Sequence, residues 1–254
     1  MDEKRLIVKP YKLDFRSPVS IIIPFYGEYE LVAKLVESIW ATTQTCPYEI
    51  ILVDDASPNK TFIENFKGKP QIKTIRSEQR LGFGGALELG YKTSNQPWLV
   101  FLNSDCVVRQ PNWLSEMGKT LMDLKSSNVR MVSARSDNPG EGLHPFLKCE
   151  HTESAQNVIL SDGFLPLFCA MCHRELFSHI GGFIKNYYPG YYEDEELAYR
   201  MRKYGCKQAI CGSVWVHHKG SATIERLCKT DPEAINQINN NRDRCLKDVQ
   251  SLGR

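Results

Sequence analysis

The chain has 254 residues, enough for one large or two small α/β domains with a sizeable core, and its 42% hydrophobic and 24% charged residues are ordinary for a globular protein. With 32 basic against 30 acidic residues the net charge is +2, which lacks the basic excess of a nucleic-acid binder. No apolar run reaches the roughly 18 residues needed to cross a bilayer, the N-terminal MDEKRLIVKPYKLDF has no signal-peptide core, and nine cysteines without a regular framework read as reduced thiols of a cytoplasmic protein.

Residues 1–17 are polar and mixed, an extension with room for one edge strand at Leu6–Lys9. Val19–Ile23, a β-branched run between Pro18 and Pro24, reads as a buried strand. Leu31, Leu35 and Ile39, widened by Val32 and Val36, give an amphipathic helix over about Glu30–Thr42. Glu49–Val53 is a second strand, ended by Asp54-Asp55-Ala56-Ser57-Pro58; Lys60–Phe66 reads as a helix and Ile72–Arg76 as a third strand. These apolar, non-alternating strands separated by helices predict a mostly parallel central sheet flanked by helices. Right-handed crossovers then place Pro24–Glu28, Asp54–Ser57 and Asn103–Asp105 along one crevice.

Arg80–Gly85, RLGFGG, precedes a helix to about Ser94; such a loop lets backbone N–H groups approach an anion, although an ordinary turn explains the glycines as well. Its G-x-G-G spacing is not the dinucleotide fingerprint. Trp98–Leu102 is a short buried strand stopped by Asn103-Ser104-Asp105. A carboxylate there can hold a divalent cation against a phosphate, or simply open a turn. Trp113–Leu124 reads as a helix, Met131–Ala134 as a strand, and Ser136–Pro145 as a mobile Pro/Gly-rich loop. Cys169 and Cys172 form a lone C-x-x-C, read as buried small residues. Arg174–Ile180 is a short helix ending at Gly181-Gly182, and Tyr187–Tyr192 is aromatic. Glu193–Tyr204 is a helix opened by Glu193-Asp194-Glu195-Glu196, acids that the helix dipole favours whatever else they do. Gln208–Val216 is a last strand before His217-His218, and a tail helix carries Ile235, Ile238, Leu246 and Val249.

VSIIIPFYGEYE (Val19–Glu30), EIILVDDAS (Glu49–Ser57), RLGFGGALELG (Arg80–Gly90), FLNSD (Phe101–Asp105), GGF (Gly181–Phe183), YYEDEELAYRMRKYG (Tyr191–Gly205) and VHHKGSAT (Val216–Thr223) occur in this order. Together they resemble the inverting family-two glycosyltransferases of the GT-A fold, in the rhamnosyltransferase-like branch. Gly27 and Glu88 stand where that family usually has Asn, and Asn103 replaces the first Asp of its D-x-D motif, leaving Asp105 as the sole carboxylate there.

The resemblance implies a GT-A domain over residues 18–224, followed by a helical tail over 225–254. It implies a nucleotide-diphospho-sugar donor held by Pro24, Tyr26, Glu28, Asp55, Arg80, Gly82, Asn103 and Ser104. Asp55 would contact the base, and a carboxylate there accepts the N3–H of a pyrimidine, so the expected donors are UDP- or dTDP-sugars. Asp105 and His217, with His218 the alternative, would bind Mn²⁺ or Mg²⁺; successive strand residues face opposite sides, so one histidine points inward. Asp194 would be the general base for a glycan, lipid-linked or protein acceptor, whose surface would involve residues 136–160 and Tyr187–Tyr192. A sugar-phosphate nucleotidyltransferase would need a Gly-rich, basic N-terminal signature, absent at Pro24–Glu28. A catalytically silent nucleotide-sugar or glycan-binding domain would not need the set Asp105, Asp194 and His217.

Overall fold

The computed structural model describes residues 17–44, 46–140, 143–151, 155–184, 187–220, 226–227, 231 and 233–252. The expected edge strand at Leu6–Lys9 lies outside them.

In chain order the elements are β1 (Val19–Phe25), α1 (Tyr29–Thr42), β2 (Tyr48–Asp54), β3 (Ile72–Arg76), α2 (Gly82–Thr93), β4 (Trp98–Leu102), β5 (Cys106–Val108), α3 (Trp113–Asp123), β6 (Val129–Ser136), β7 (Val158–Ile159), β8 (Cys169–His173), α4 (Arg174–Ile180), α5 (Glu193–Lys203), β9 (Lys207–His218) and α6 (Glu233–Leu252). The segment expected to be a helix at Lys60–Phe66 is a 3₁₀ turn, Phe62–Phe66, whose Phe62 ring packs on Phe25 and Tyr29.

One sheet carries the fold, in the order β3-β2-β1-β4-β8-β6-β9-β5, with β7 on β9. From β3 to β4 every pairing is parallel. Beyond β4 the sheet is mixed: β8 runs antiparallel to β4 and β6, β5 runs antiparallel to β9, and β6 with β9 is parallel. The parallel half has alternate residues facing two separate cores, which explains its unbroken apolar runs. Ile21, Ile23, Ile50, Leu52, Val100 and Leu102 meet α1 and α3; Ile22, Ile51, Val53, Leu99 and Phe101 meet Ala86 and Leu87 of α2 and Phe177 of α4. Each such side chain contributes about 1.5–3 kcal/mol by leaving water. Helix α2 presses its backbone on the sheet at Gly90, where an added Cβ would stand 2.3 Å from Ile22 Cγ2.

Two polar fastenings set the wall around the cavity described below. On α5 the buried Arg200 guanidinium pairs with Glu196 at 2.5 and 2.8 Å and donates to the carbonyls of Ile180 and Gly182. Glu196→Ala would strand that guanidinium, and a loss of about 3–5 kcal/mol is expected in urea unfolding; an unchanged midpoint would refute the account. On α6 the buried positions are Ala234, Asn241 and Cys245, while Ile235 and Leu246 are half exposed. Asn241 Nδ2 donates to the Tyr188 and Gly190 carbonyls, and Tyr187 Oη donates to Asp248. The tail helix therefore holds the 187–190 segment by hydrogen bonds, with Ala234, Asn241 and Cys245 buried and Ile238 on the cavity wall.

Candidate active site

The carboxyl ends of β1, β2 and β4, the start of α2, the segment 164–168 and the start of α5 enclose a cavity of about 560 Å³. It is lined by Pro24, Tyr26, Asp55, Arg80, Gly82, Asn103, Ser104, Asp105, Asp194 and His218 among others. Two expected site residues do not line it, Glu28 and His217. Glu28 sits in the left-handed region at the head of α1 (φ 50°) and faces Arg226 at 3.5 Å. His217 is turned to the other side of β9 from His218 and pairs with Asp137.

Of the two carboxylates after β2, Asp54 is the structural one. It is fully buried, bound by Arg76 and the Ser57 amide. Asp55 faces the cavity, yet its oxygens are engaged. Oδ1 accepts from the Leu81 amide at 2.6 Å and Ser77 Oγ at 3.3 Å; Oδ2 accepts from the Gly82 amide at 3.0 Å and Arg80 Nε at 3.4 Å. The glycine-rich stretch thus does present backbone N–H groups to an anion, and in this structure that anion is the Asp55 side chain. Burial pushes the Asp55 carboxyl above its ordinary value, against the lowering pull of the Leu81 amide, Arg80 and the Gly82 amide. Gly82, Gly84 and Gly85 form the first turn of α2 rather than a preceding loop. Gly82 needs its missing side chain: φ is +74° and a Cβ would meet the Pro189 carbonyl at 3.1 Å. Removing the cap in Asp55→Ala is expected to cost about 0.5–2 kcal/mol in thermal or urea unfolding; no loss would show that the two amides are satisfied otherwise. The Arg80 guanidinium lies 3.4 Å over the Tyr26 ring, covering one of its faces.

On the opposite wall Asp105 and His218 meet. Asp105 Oδ1 stands 3.2 Å from His218 Nε2, and both residues are buried. His218 Nδ1 lies 2.8 Å from the Asn138 carbonyl, which can only accept, so Nδ1 carries a proton. His218 Nε2 is thus the ring nitrogen turned to the Asp105 carboxylate, where the two atoms can share a cation. The Asn103 amide reaches the same nitrogen at 3.3 Å, and its Oδ1 is buried without a hydrogen-bond partner among the described residues. The Phe168 ring stacks on the imidazole at 4.9 Å. This donor set, one carboxylate and one imidazole with an amide oxygen beside them, fits a divalent cation.

Sequence reasoning missed the residues that orient the imidazole. Asp137 accepts from the His218 backbone N–H at 3.0 Å and holds His217; Asn138 supplies the carbonyl and donates to Lys219 O at 2.7 Å. The segment reads as a mobile loop because its partners lie some 80 residues away, and only the parallel pairing of Ser136 with Val216 brings them together.

Asp194 opens α5. Its Oδ2 accepts from the Leu167 amide at 3.2 Å, while Oδ1 is sealed from solvent without a partner among the described residues. Glu193 is buried beside it, with Oε2 likewise unpartnered. The residue Asp194 keeps some surface open to the cavity, but its free oxygen does not, and burial pushes its carboxyl up to about 7. Burial and the Asp194 charge push Glu193 up as well, so the two titrate as a pair. Desolvation here outweighs the helix dipole, which favours the ionised forms.

Residues 20–181 match the glycosyl transferase family 2 model. The chain is 26% identical over 242 residues to the O-antigen biosynthesis protein RfbC of Myxococcus xanthus, covering 85% of this chain and 18% of that protein. It is 27% identical over 181 residues to an uncharacterized glycosyltransferase of Haemophilus influenzae, covering 65% of this chain and 55% of that one. Among solved structures, GalNAc-T7 with UDP, GalNAc and Mn²⁺ superposes with TM-score 0.62 at 18% identity, covering 82% of this chain and 44% of that one. The mannosyltransferase PcManGT of Pyrobaculum calidifontis with GDP-Man and Mn²⁺ gives 0.61 at 18% identity, covering 90% and 65%. The fold is therefore the GT-A fold, that of nucleotide-sugar transferases. The chain belongs to glycosyl transferase family 2. The family match ends before Asp194 and His218, so their assignment rests on the geometry above.

Proposed function

We propose that this glycosyltransferase is an inverting enzyme that moves a sugar from a pyrimidine-nucleotide diphospho-sugar, UDP- or dTDP-linked, to a hydroxyl of a glycan, lipid-linked or protein acceptor. The observation that carries the reading is the convergence on one cavity of a base-side cluster (Tyr26, Asp55, Arg80), a cation-fitting pair (Asp105, His218) and the Asp194 carboxyl. Asp105 and His218, with Asn103 beside them, would hold Mn²⁺ or Mg²⁺. When bound, that cation supplies charge neutralisation for the departing diphosphate. Pro24 and Tyr26 bound the base side, and Arg80, already over Tyr26, offers its guanidinium to base or phosphate. Asp194 takes the acceptor hydroxyl proton as that oxygen attacks the anomeric carbon. The bond from that carbon to the diphosphate breaks, the nucleoside diphosphate leaves, and in-line attack inverts the anomeric configuration. Tyr191 and Tyr192, on the cavity wall beside Asp194, offer faces for an acceptor sugar.

Cytoplasmic action is part of the proposal, supported by the eight described cysteines being free thiols; no described helix is long and apolar enough to cross a membrane. The test is a panel of nucleotide sugars with Mn²⁺ or Mg²⁺, read as thermal shift, nucleotide release and, by NMR, the anomeric configuration of the product. Stabilisation and turnover with UDP- or dTDP-sugars, and inversion, are expected. A preference for GDP-sugars would overturn the pyrimidine reading, and retained configuration would overturn the role of Asp194.

A further inference from the structure

Behind the Asp105–His218 pair lies a third potential ligand for which the proposed reaction has no use. Cys106 begins β5 and pairs directly with His218 across the antiparallel β5–β9 ladder. Residues directly opposite in such a ladder project to the same face with Cβ atoms about 4.5–5.5 Å apart. The Cys106 sulfur, a carboxylate oxygen of Asp105 and a ring nitrogen of His218 accordingly lie within 4.8 Å of one another. Cys106 is 1% exposed, and its thiol donates at 3.4 Å to the carbonyl of Phe168, the residue whose ring stacks on His218. The strand register thus sets the sulfur beside the centre, and its thiol proton is held by the Phe168 carbonyl until a metal displaces it.

We propose that Cys106 makes this centre a site for a thiophilic divalent cation, Zn²⁺ or Cd²⁺, held by the Asp105 carboxylate, the His218 Nε2 and the Cys106 thiolate. The inference deepens the metal-binding reading of Asp105 and His218 given above. Hard ions such as Mg²⁺ and Mn²⁺ favour oxygen and leave a buried thiol protonated, whereas zinc takes sulfur, nitrogen and oxygen in one tetrahedral shell. Zn–N and Zn–O bonds of about 2.0–2.2 Å match the 3.2 Å approach of Asp105 to His218, and the sulfur, within 4.8 Å of both, closes on the ion as it leaves the Phe168 carbonyl. On binding, the Zn–S bond forms as the thiol proton leaves to solvent. Three protein donors leave a tetrahedral ion a single open position.

The test uses the full chain with Cys46, Cys149 and Cys228 replaced by serine, titrated with Cd²⁺ in the absence of any nucleotide sugar. The expected result is a thiolate-to-Cd²⁺ charge-transfer absorption in the ultraviolet that saturates at one ion per chain and is lost in both Cys106→Ser and Asp105→Asn. In competition with a chromogenic chelator, Cys106→Ser should weaken Zn²⁺ binding by at least about 10–100-fold, the loss that even an outer-shell partner causes. Cys106→Ala provides the same comparison should serine disturb the fold, as judged by circular dichroism. A band that survives loss of Cys106 or of Asp105, no band in the parent, or unchanged Zn²⁺ affinity would overturn the proposal. Because no donor is present, the outcome is separable from the transferase reading: a chain that shows the band yet transfers no sugar keeps this site and loses that reading, and the converse result does the reverse.

Discussion

Asp194→Asn is expected to lower transfer by about 10²–10⁴-fold, the usual contribution of a positioned base, and at the same time to stabilise the protein above neutral pH. Both effects come from one fact. One carboxylate oxygen is sealed from water, the other has a single backbone donor, and burial pushes the carboxyl up to about 7. A protonated carboxyl cannot accept the acceptor proton, so wild-type kcat/KM should rise with pH through neutrality and level off above it. The sign of the stability effect follows from linkage. The folded-state value is raised above the unfolded one, about 3.9, so protonation favours the folded state. That stabilisation is complete below the unfolded value and is lost as pH rises through about 7. At pH 8 the wild type therefore carries a buried, poorly compensated charge. The asparagine removes that charge and leaves an unpartnered N–H that takes back about 1–3 kcal/mol, so the net gain is confined to pH values at which the wild-type carboxyl is ionised. Urea unfolding of both proteins at pH 8 and pH 5 should show a larger gain for the variant at pH 8. Wild-type turnover by Asp194→Asn would remove the residue from the base role. An equal gain at both pH values would remove burial of charge as the cause.

The parallel half of the sheet is legible because its physics is local in sequence. A β-branched run such as Val19–Ile23 must be buried on both faces, and the structure places Ile21 and Ile22 in opposite cores. The periodicity of α1 likewise marks Leu31, Val32, Leu35, Val36 and Ile39, of which all but the half-buried Leu31 are buried. Where the sequence misleads, the deciding partner is far away along the chain. The tail helix has an apolar stripe, yet it turns Asn241 inward because the carbonyls of Tyr188 and Gly190 need a donor. Asp55 reads as a free acceptor, but the first turn of α2, some 26 residues later, takes its lone pairs. In Glu193–Glu196 the helix-start pattern hides a division of labour: Glu196 serves Arg200, while Asp194 has an oxygen with no described partner. Alternation along β9 says that one of His217 and His218 faces the crevice. Which one depends on the register of β9 with β5, and that pairing joins residues more than a hundred positions apart.

That register gives the second expected result: His218→Ala and Asp105→Asn should each reduce transfer by at least about 10²–10³-fold, the range for removing one group that stabilises developing charge, whereas His217→Ala should stay within about tenfold of wild type. The two histidines are neighbours with the same chemistry, so the contrast tests geometry alone. His218 Nε2 faces Asp105 at 3.2 Å inside the cavity wall. His217 is more exposed, and its Nδ1 is bound to Asp137. Its loss removes one of the contacts that hold Asp137, which still accepts from the His218 amide and Ser136 Oγ. A modest effect follows from that, because an outer-shell partner costs about 10–100-fold only when its removal lets the ligand turn, and His218 keeps its own bond to the Asn138 carbonyl. Mn²⁺ titration followed by electron paramagnetic resonance gives a readout independent of turnover: binding should weaken in His218→Ala and persist in His217→Ala. The reverse order of the two variants would mean that β9 presents its other face to the donor, and the cavity built from Asp105, Asp194 and His218 would no longer describe the reacting centre.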